Sequence, residues 1–93
     1  MAKYIVQISK SAQKDLVKIH KSGNKSDIER LSRIIEELSE TPYTGIGNPE
    51  KLRFDLAGFW SRRINKKDRL VYSVEESIVT VTVVSALGHY FDR

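Results

Sequence analysis

Apolar positions along this chain change period twice, and each change marks a change of element. From Lys3 to Ser9 they alternate, with Tyr4, Val6 and Ile8 on one face, which predicts a first strand. The spacing then lengthens to that of a helix. Ala12, Leu16 and Ile19 form a stripe behind Ser9 or Ser11, either of which can cap it, and Gly23-Asn24 stops it. Ser26-Asp27-Ile28-Glu29 has the form of a capping box, and Ile28, Leu31, Ile34, Ile35 and Leu38 recur behind it at helical spacing. This predicts a second helix to about Glu40, ended by Thr41-Pro42, and so a helical hairpin. Pro42 to Pro49 is a loop punctuated by Gly45 and Gly47. Strand-like segments return at Phe59–Asn65, Leu70–Val74 and Ile78–Ser85, with polar turns at Lys66-Lys67-Asp68 and Glu75-Glu76-Ser77 and a short strand around Lys51–Phe54 ahead of them. Strand, two helices, then a meander predict an α+β fold, an antiparallel sheet with the two helices packed on one face.

At 93 residues the chain supplies one core, so residues 1–93 are read as a single domain. There is no cysteine, which excludes disulfides and thiolate metal sites; His20 and His89 alone would supply a zinc site poorly. No metal and no cofactor are expected. The run Tyr4–Ile8 is too short for a signal-peptide core, and Ile78–Val84, interrupted by Thr80 and Thr82, is far short of the roughly 20 residues of a spanning helix. The expectation is a cytoplasmic protein with no membrane partner.

Charge changes the picture. Between Gly47 and Tyr72 lie seven lysines and arginines (Lys51, Arg53, Arg62, Arg63, Lys66, Lys67, Arg69) against Glu50, Asp55 and Asp68, a net +4 that equals the net charge of the whole chain. A basic excess confined to one quarter of a small domain is the electrostatic footprint of a nucleic-acid surface. Strand parity then separates the arginines. In an unbroken strand Trp60, Arg62 and Ile64 share the helix side, with Arg62 snorkelling past Trp60, and Ser61, Arg63 and Asn65 share the open face. In the next strand Leu70, Tyr72 and Val74 take the helix side, which puts Arg69 on the open face with Arg63.

Guanidinium forks suit phosphate. Glu50 stands at the edge of this basic region, and His89-Tyr90 follows the last strand. A base for the ribose 2′-OH, an acid for the leaving 5′-oxygen and cations for the phosphorane are what metal-free RNA cleavage needs, and a tyrosine can stack on a base. Each residue also has a plainer reading. On its own Glu50 is more often a loop carboxylate paired with Lys51 or Arg53, His89 is more often tail packing, Trp60 is core, and His20 is a helix-terminal surface residue. Composition and parity alone reach a small basic α/β domain that binds RNA. A non-enzymatic basic module that binds nucleic acid or a partner protein stays open.

The motifs carry more. Gly47-Asn48-Pro49-Glu50-Lys51-Leu52, Leu56-Ala57-Gly58-Phe59-Trp60-Ser61-Arg62-Arg63-Ile64, Arg69-Leu70-Val71-Tyr72 and His89-Tyr90 resemble the YoeB/Txe branch of the RelE-type bacterial toxins. The resemblance spans most of the chain and implies a microbial-ribonuclease-like fold, β-α-α-β-β-β with one further short strand. It implies a ribosome-dependent mRNA interferase, the toxin of a type II toxin–antitoxin pair, cutting mRNA in the ribosomal A site by 2′-OH attack. On that resemblance Glu50 would be the general base and His89 the general acid. Arg69, with Arg63 in support, would stabilise the developing charge, and Tyr90 would position the nucleotide. Lys51 and Arg53 would contact RNA backbone, and Arg62, Lys66 and Lys67 complete the expected RNA-binding set. The implied partners are the ribosome and mRNA, a YefM-like antitoxin, a second copy of the chain, and operator DNA only as the toxin–antitoxin complex. The chain departs from relatives in carrying Gly88 before the His-Tyr pair and in continuing through Phe91-Asp92-Arg93.

Overall fold

In the computed structural model, which describes residues 3–87, the chain runs β1 (Ile5–Ile8), α1 (Lys10–Ser22), α2 (Lys25–Leu38), β2 (Glu50–Lys51), β3 (Phe59–Arg63), β4 (Arg69–Glu75) and β5 (Thr80–Ser85). Single 3-10 turns at Phe54–Leu56 and Glu76–Ile78 lie in the β2–β3 and β4–β5 connections. His89 and Tyr90 lie outside the described residues. The sheet order is β1-β5-β4-β3-β2. The meander β2 to β5 is antiparallel, but β1 pairs parallel with β5, with Ile5 opposite Thr80. The sheet is therefore mixed rather than antiparallel throughout. Alternation could not reveal this, because side chains alternate with period two whichever way the neighbouring strand runs.

The helical hairpin is tighter than its sequence signals. Ser9 caps α1, its Oγ accepting from the Ala12 N–H at 3.2 Å. Gly23 closes it at φ 72°, a left-handed conformation that costs glycine little. The next residue, Asn24, already caps α2, its Oδ1 accepting from the Asp27 N–H at 3.1 Å. The expected capping box at Ser26 does not form, since the helix starts at Lys25 and Ser26 falls inside its first turn. Asn and Ser are comparable caps, and the earlier one wins because Gly23 has just reversed the chain. Ala12, Ile19, Leu31, Ile34 and Leu38 from the helices pack on Ile64, Leu70, Tyr72, Val81 and Val83 from the sheet side. β3 ends at Arg63 rather than Asn65. There the Asn65 Oδ1 accepts from the N–H groups of Lys67 and Asp68, closing the turn into β4.

Parity does carry Arg62 to the helix side, but it does not snorkel. Its side chain is fully buried, and every guanidinium N–H has a partner. Nη1 donates to Glu37 Oε1 (2.7 Å) and the Ile46 carbonyl (3.4 Å), Nη2 to the carbonyls of Thr41 (2.6 Å) and Thr44 (2.8 Å), and Nε to the Tyr72 hydroxyl (3.2 Å). Tyr72 in turn donates to the Pro42 carbonyl at 2.6 Å. Burial raises the Tyr72 pKa, opposed by the hydrogen bond and charge of Arg62. The loop after α2 is thus wrapped around one guanidinium. Gly45, at φ 134°, lies so close that a Cβ there would sit 2.0 Å from Glu37 Oε1 and 2.8 Å from Arg62 Nη1.

A second polar knot ties the same stretch of this loop to the β4–β5 connection. Tyr4 and Tyr43 both donate their hydroxyls to the Glu76 carboxylate, at 2.9–3.0 Å for Tyr4. The Tyr43 hydrogen bond, then that of Tyr4, holds the Glu76 carboxyl below its usual range, and the same bond pushes Tyr43 up to about 12.

These networks give two expectations. Arg62→Met leaves Glu37 and three loop carbonyls without their donor and should cost about 3–5 kcal/mol in chemical denaturation. A loss below about 1 kcal/mol would contradict the assigned network. For the Glu76 knot the sign follows from the shifts. The Glu76 contribution is present above the ordinary carboxyl value of 4.5 and is lost as pH falls through its lower folded value. The Tyr43 contribution is present below 10 and is lost as pH rises through about 12. Glu76→Gln should therefore flatten both the acid and the alkaline limbs of stability against pH, and limbs unchanged from wild type would sink the knot.

Candidate active site

β2 is only two residues long, yet its register decides what it presents. Glu50 lies opposite Ser61 and Lys51 opposite Trp60, while across the next ladder Ser61 faces Val71 and Arg63 faces Arg69. Residues directly opposite in an antiparallel ladder share a face. Glu50, Ser61, Arg63, Val71 and Arg69 therefore line the face turned away from the helices, as parity anticipates for the two arginines. The loop is delivered to that face at Gly47, whose carbonyl accepts from the Arg63 N–H at 2.7 Å. Gly47 has φ 84°, and a Cβ on it would stand 2.9 Å from the Arg63 carbonyl, so the approach needs glycine on both counts.

Arg63 and Arg69 are like charges held directly opposite each other, an arrangement that destabilises a sheet. Glu50 is the counter-charge, with Oε1 at 3.7 Å from Arg69 Nη1. At this separation the pair is an ion pair without a hydrogen bond, longer than the 2.7–2.9 Å of a charge-assisted bond. The Glu50 side chain is 58% exposed and that of Arg69 27%. A carboxylate and two guanidiniums thus sit together at the surface over a floor of Ser61 and Val71, both buried. Ser85, opposite Val71, adds a buried hydroxyl with no hydrogen-bond partner among the described residues. Among the described residues no group of three His, Asp or Glu could hold a metal ion.

The other expected site residues divide. Arg53 is exposed on the β2–β3 connection, and Lys66 and Lys67 are exposed in the β3–β4 turn. Lys51 stands on the opposite face from Glu50, its Nζ 6.0 Å from the Trp60 ring, which also contacts Tyr43 at 5.1 Å between centroids. Trp60 is half-buried against the core rather than within it. Arg62 is a correction: with no exposed surface and all five N–H groups used inside the fold, it has nothing to offer RNA. Two features were missed. Phe54 is 92% exposed at φ 58°, an unusual backbone for a bulky residue, beside Arg53. Arg30 of α2 donates through Nε to the Arg63 carbonyl at 3.2 Å. The only sequence signal for Arg30 is its place off the apolar stripe, which reads as ordinary solvent face.

Comparison with known proteins bears on this arrangement. Residues 8–90 match the model of a family described as the YoeB-like toxin of bacterial type II toxin–antitoxin systems. Toxin YoeB of Mycobacterium bovis is 39% identical over 69 residues, covering 74% of this chain and 79% of that protein. The YoeB/ParE toxin from Agrobacterium tumefaciens superposes with a TM-score of 0.80 at 31% identity, covering 92% of this chain and 99% of that one. YoeB from Staphylococcus aureus, solved as a dimer, superposes at 0.77 with 31% identity over 96% of this chain and 100% of that one. In its YoeB–YefM complex the values are 0.76 and 32%, with the same coverage.

The exposure of Glu50 makes it separable from the fold. Glu50→Gln should keep stability within about 0.5 kcal/mol of wild type, as for an exposed residue outside any buried network. A loss of several kcal/mol in a denaturant titration would mean that the carboxylate is structural.

Proposed function

The chain belongs to the YoeB-like toxins of bacterial type II toxin–antitoxin systems, and from that premise we propose that it is a ribosome-dependent mRNA interferase, an endoribonuclease that cuts mRNA in the ribosomal A site of the cytoplasm. The observation that carries the reading is the convergence of Glu50, Arg63 and Arg69 on one open sheet face, with Glu50 and Arg69 3.7 Å apart. In the proposed step the Glu50 carboxylate takes the proton of a ribose 2′-OH. The 2′-oxygen attacks the adjacent phosphorus, and the bond from phosphorus to the 5′-oxygen breaks. His89 gives that oxygen its proton, leaving a 2′,3′-cyclic phosphate on one product and a 5′-hydroxyl on the other. Arg69, with Arg63 opposite, takes up the charge that develops on the phosphorane oxygens. At 3.7 Å from Arg69, without a hydrogen bond between them, the Glu50 carboxylate keeps its acceptor capacity for the 2′-OH proton. Tyr90 is assigned to positioning the nucleotide; it and His89 enter from the motif match alone.

The same membership supports the partners. A YefM-like antitoxin would bind and silence the toxin, by analogy with the Staphylococcus aureus YoeB–YefM complex, and the chain would dimerise, as that YoeB does. The toxin–antitoxin complex, rather than the toxin alone, would bind operator DNA.

Mapping mRNA 5′ ends in a reconstituted translation system tests the activity. Wild type should produce new ends within the A-site codon only when ribosomes are present. Glu50→Gln should reduce them by about 100-fold or more, the scale of a lost general base. Ribosome binding without new ends from wild type would favour the non-enzymatic basic module, and cuts in free RNA would remove the ribosome as an obligatory partner.

A further inference from the structure

Among the described residues a cleft of about 650 Å³ opens between the first half of α2 and the end of β3. Four cations line it: Arg30 and Arg33 from α2, Arg63 from β3 and Lys66 from the following turn. Two carboxylates share the wall, Asp27 and Glu29, and Asp27 is occupied by the Asn65 amide at 2.9 Å. The lining therefore carries a positive excess. All four cations are exposed, and among the described residues none of them is ion-paired. The Arg30 guanidinium is also oriented, since its Nε is held on the Arg63 carbonyl at 3.2 Å, leaving its terminal nitrogens as a fork for an anion in the cleft.

We propose that this cleft is a second phosphodiester-backbone site, which extends the RNA path from the Glu50–Arg69 face around the end of β3. Arg63 belongs to both places, facing Arg69 across the ladder and lining the cleft. A strand whose scissile phosphate lies at Arg69 passes Arg63 and meets Arg30 and Arg33 next. Ile46, half-buried in the same wall, gives the sugar edge an apolar surface while the guanidiniums take the phosphates. Continuity with the Glu50 face favours nucleic acid over an acidic peptide. The inference deepens the interferase reading and rests on it for the direction of the path. The bound phosphodiester could come from mRNA or from ribosomal RNA, and the experiment separates them.

The test uses the full chain carrying Glu50→Gln to suppress cleavage, with and without Arg30→Gln and Arg33→Gln. Affinity for a short single-stranded RNA is measured by fluorescence anisotropy across a salt series, and ribosome binding by co-sedimentation. Lys10→Gln with Lys14→Gln, exposed on α1, gives the same change of net charge as a control. Loss of two phosphate contacts should lower the salt slope by roughly 1.4 and weaken binding at least tenfold relative to that control. Loss on the oligonucleotide assigns the cleft to mRNA, and loss on the ribosome alone assigns it to ribosomal RNA. Equal binding by the arginine and lysine double variants in both arms overturns the proposal. A wild type that makes no cuts but shows the arginine-dependent slope would sink the interferase reading and leave the cleft standing. A wild type that cuts, with the double variant indistinguishable in both arms, would sink the cleft alone.

Discussion

A buried guanidinium is tolerated only where its charge is paired and its donors are filled, because leaving water costs several kcal/mol per ion. Arg62 meets both conditions through residues far apart in sequence: Glu37 at the end of α2, the carbonyls of Thr41, Thr44 and Ile46, and Tyr72 in β4. Glu37 Oε1 also accepts the Ile46 N–H at 3.0 Å, so the same carboxylate holds both the arginine and the loop. The loop after α2 thus has no regular structure and yet few conformations open to it. Its far end passes Gly47, pinned to Arg63, and reaches Glu50 three residues later. The position of the candidate base therefore depends on an arginine that never touches solvent.

The neighbouring arginine does the opposite work. Arg62 and Arg63 differ by one position in a strand, and the two-residue period sends one into the core and the other to the open face. The first is neutralised by Glu37 and spends its donors inside the fold. The second stands beside Arg69 with Glu50 as the nearby counter-charge. Two like charges held in register cost stability, which points to a surface made for an anion rather than for the fold's own sake. In the proposed chemistry that anion is the scissile phosphate.

How legible this was depended on whether the determining contacts were local. The helical stripes, the left-handed stop at Gly23 and the split of Arg63 and Arg69 from Leu70 and Tyr72 could be read, because each follows from periodicity within one segment. The parallel pairing of β1 with β5 could not, since it joins residues more than seventy positions apart and leaves no mark on alternation. The capping box at Ser26 was a valid local signal that lost to another, Asn24, two residues earlier. Parity gives Arg62 the helix side but leaves its charge snorkelling to water, because the polar shell that buries it comes from a glycine-bearing loop whose path is set by the folded structure. Arg30 was invisible for the same reason, as its significance lies in a carbonyl contributed by β3. Glu50 was legible as a motif residue, but its partnership with Arg69 needed the β2–β3–β4 register.

The central claim is that this face cleaves RNA by attack of the ribose's own 2′-oxygen, with Glu50 as base. The chemistry of the product ends tests it most directly. The downstream fragment of a cleaved mRNA should carry a 5′-hydroxyl that polynucleotide kinase labels without prior phosphatase treatment, and the upstream fragment should end in a 2′,3′-cyclic phosphate. A 5′-phosphate with a free 3′-hydroxyl would mean that water, not the 2′-oxygen, is the nucleophile, and would contradict the role given to the Glu50–Arg69 pair.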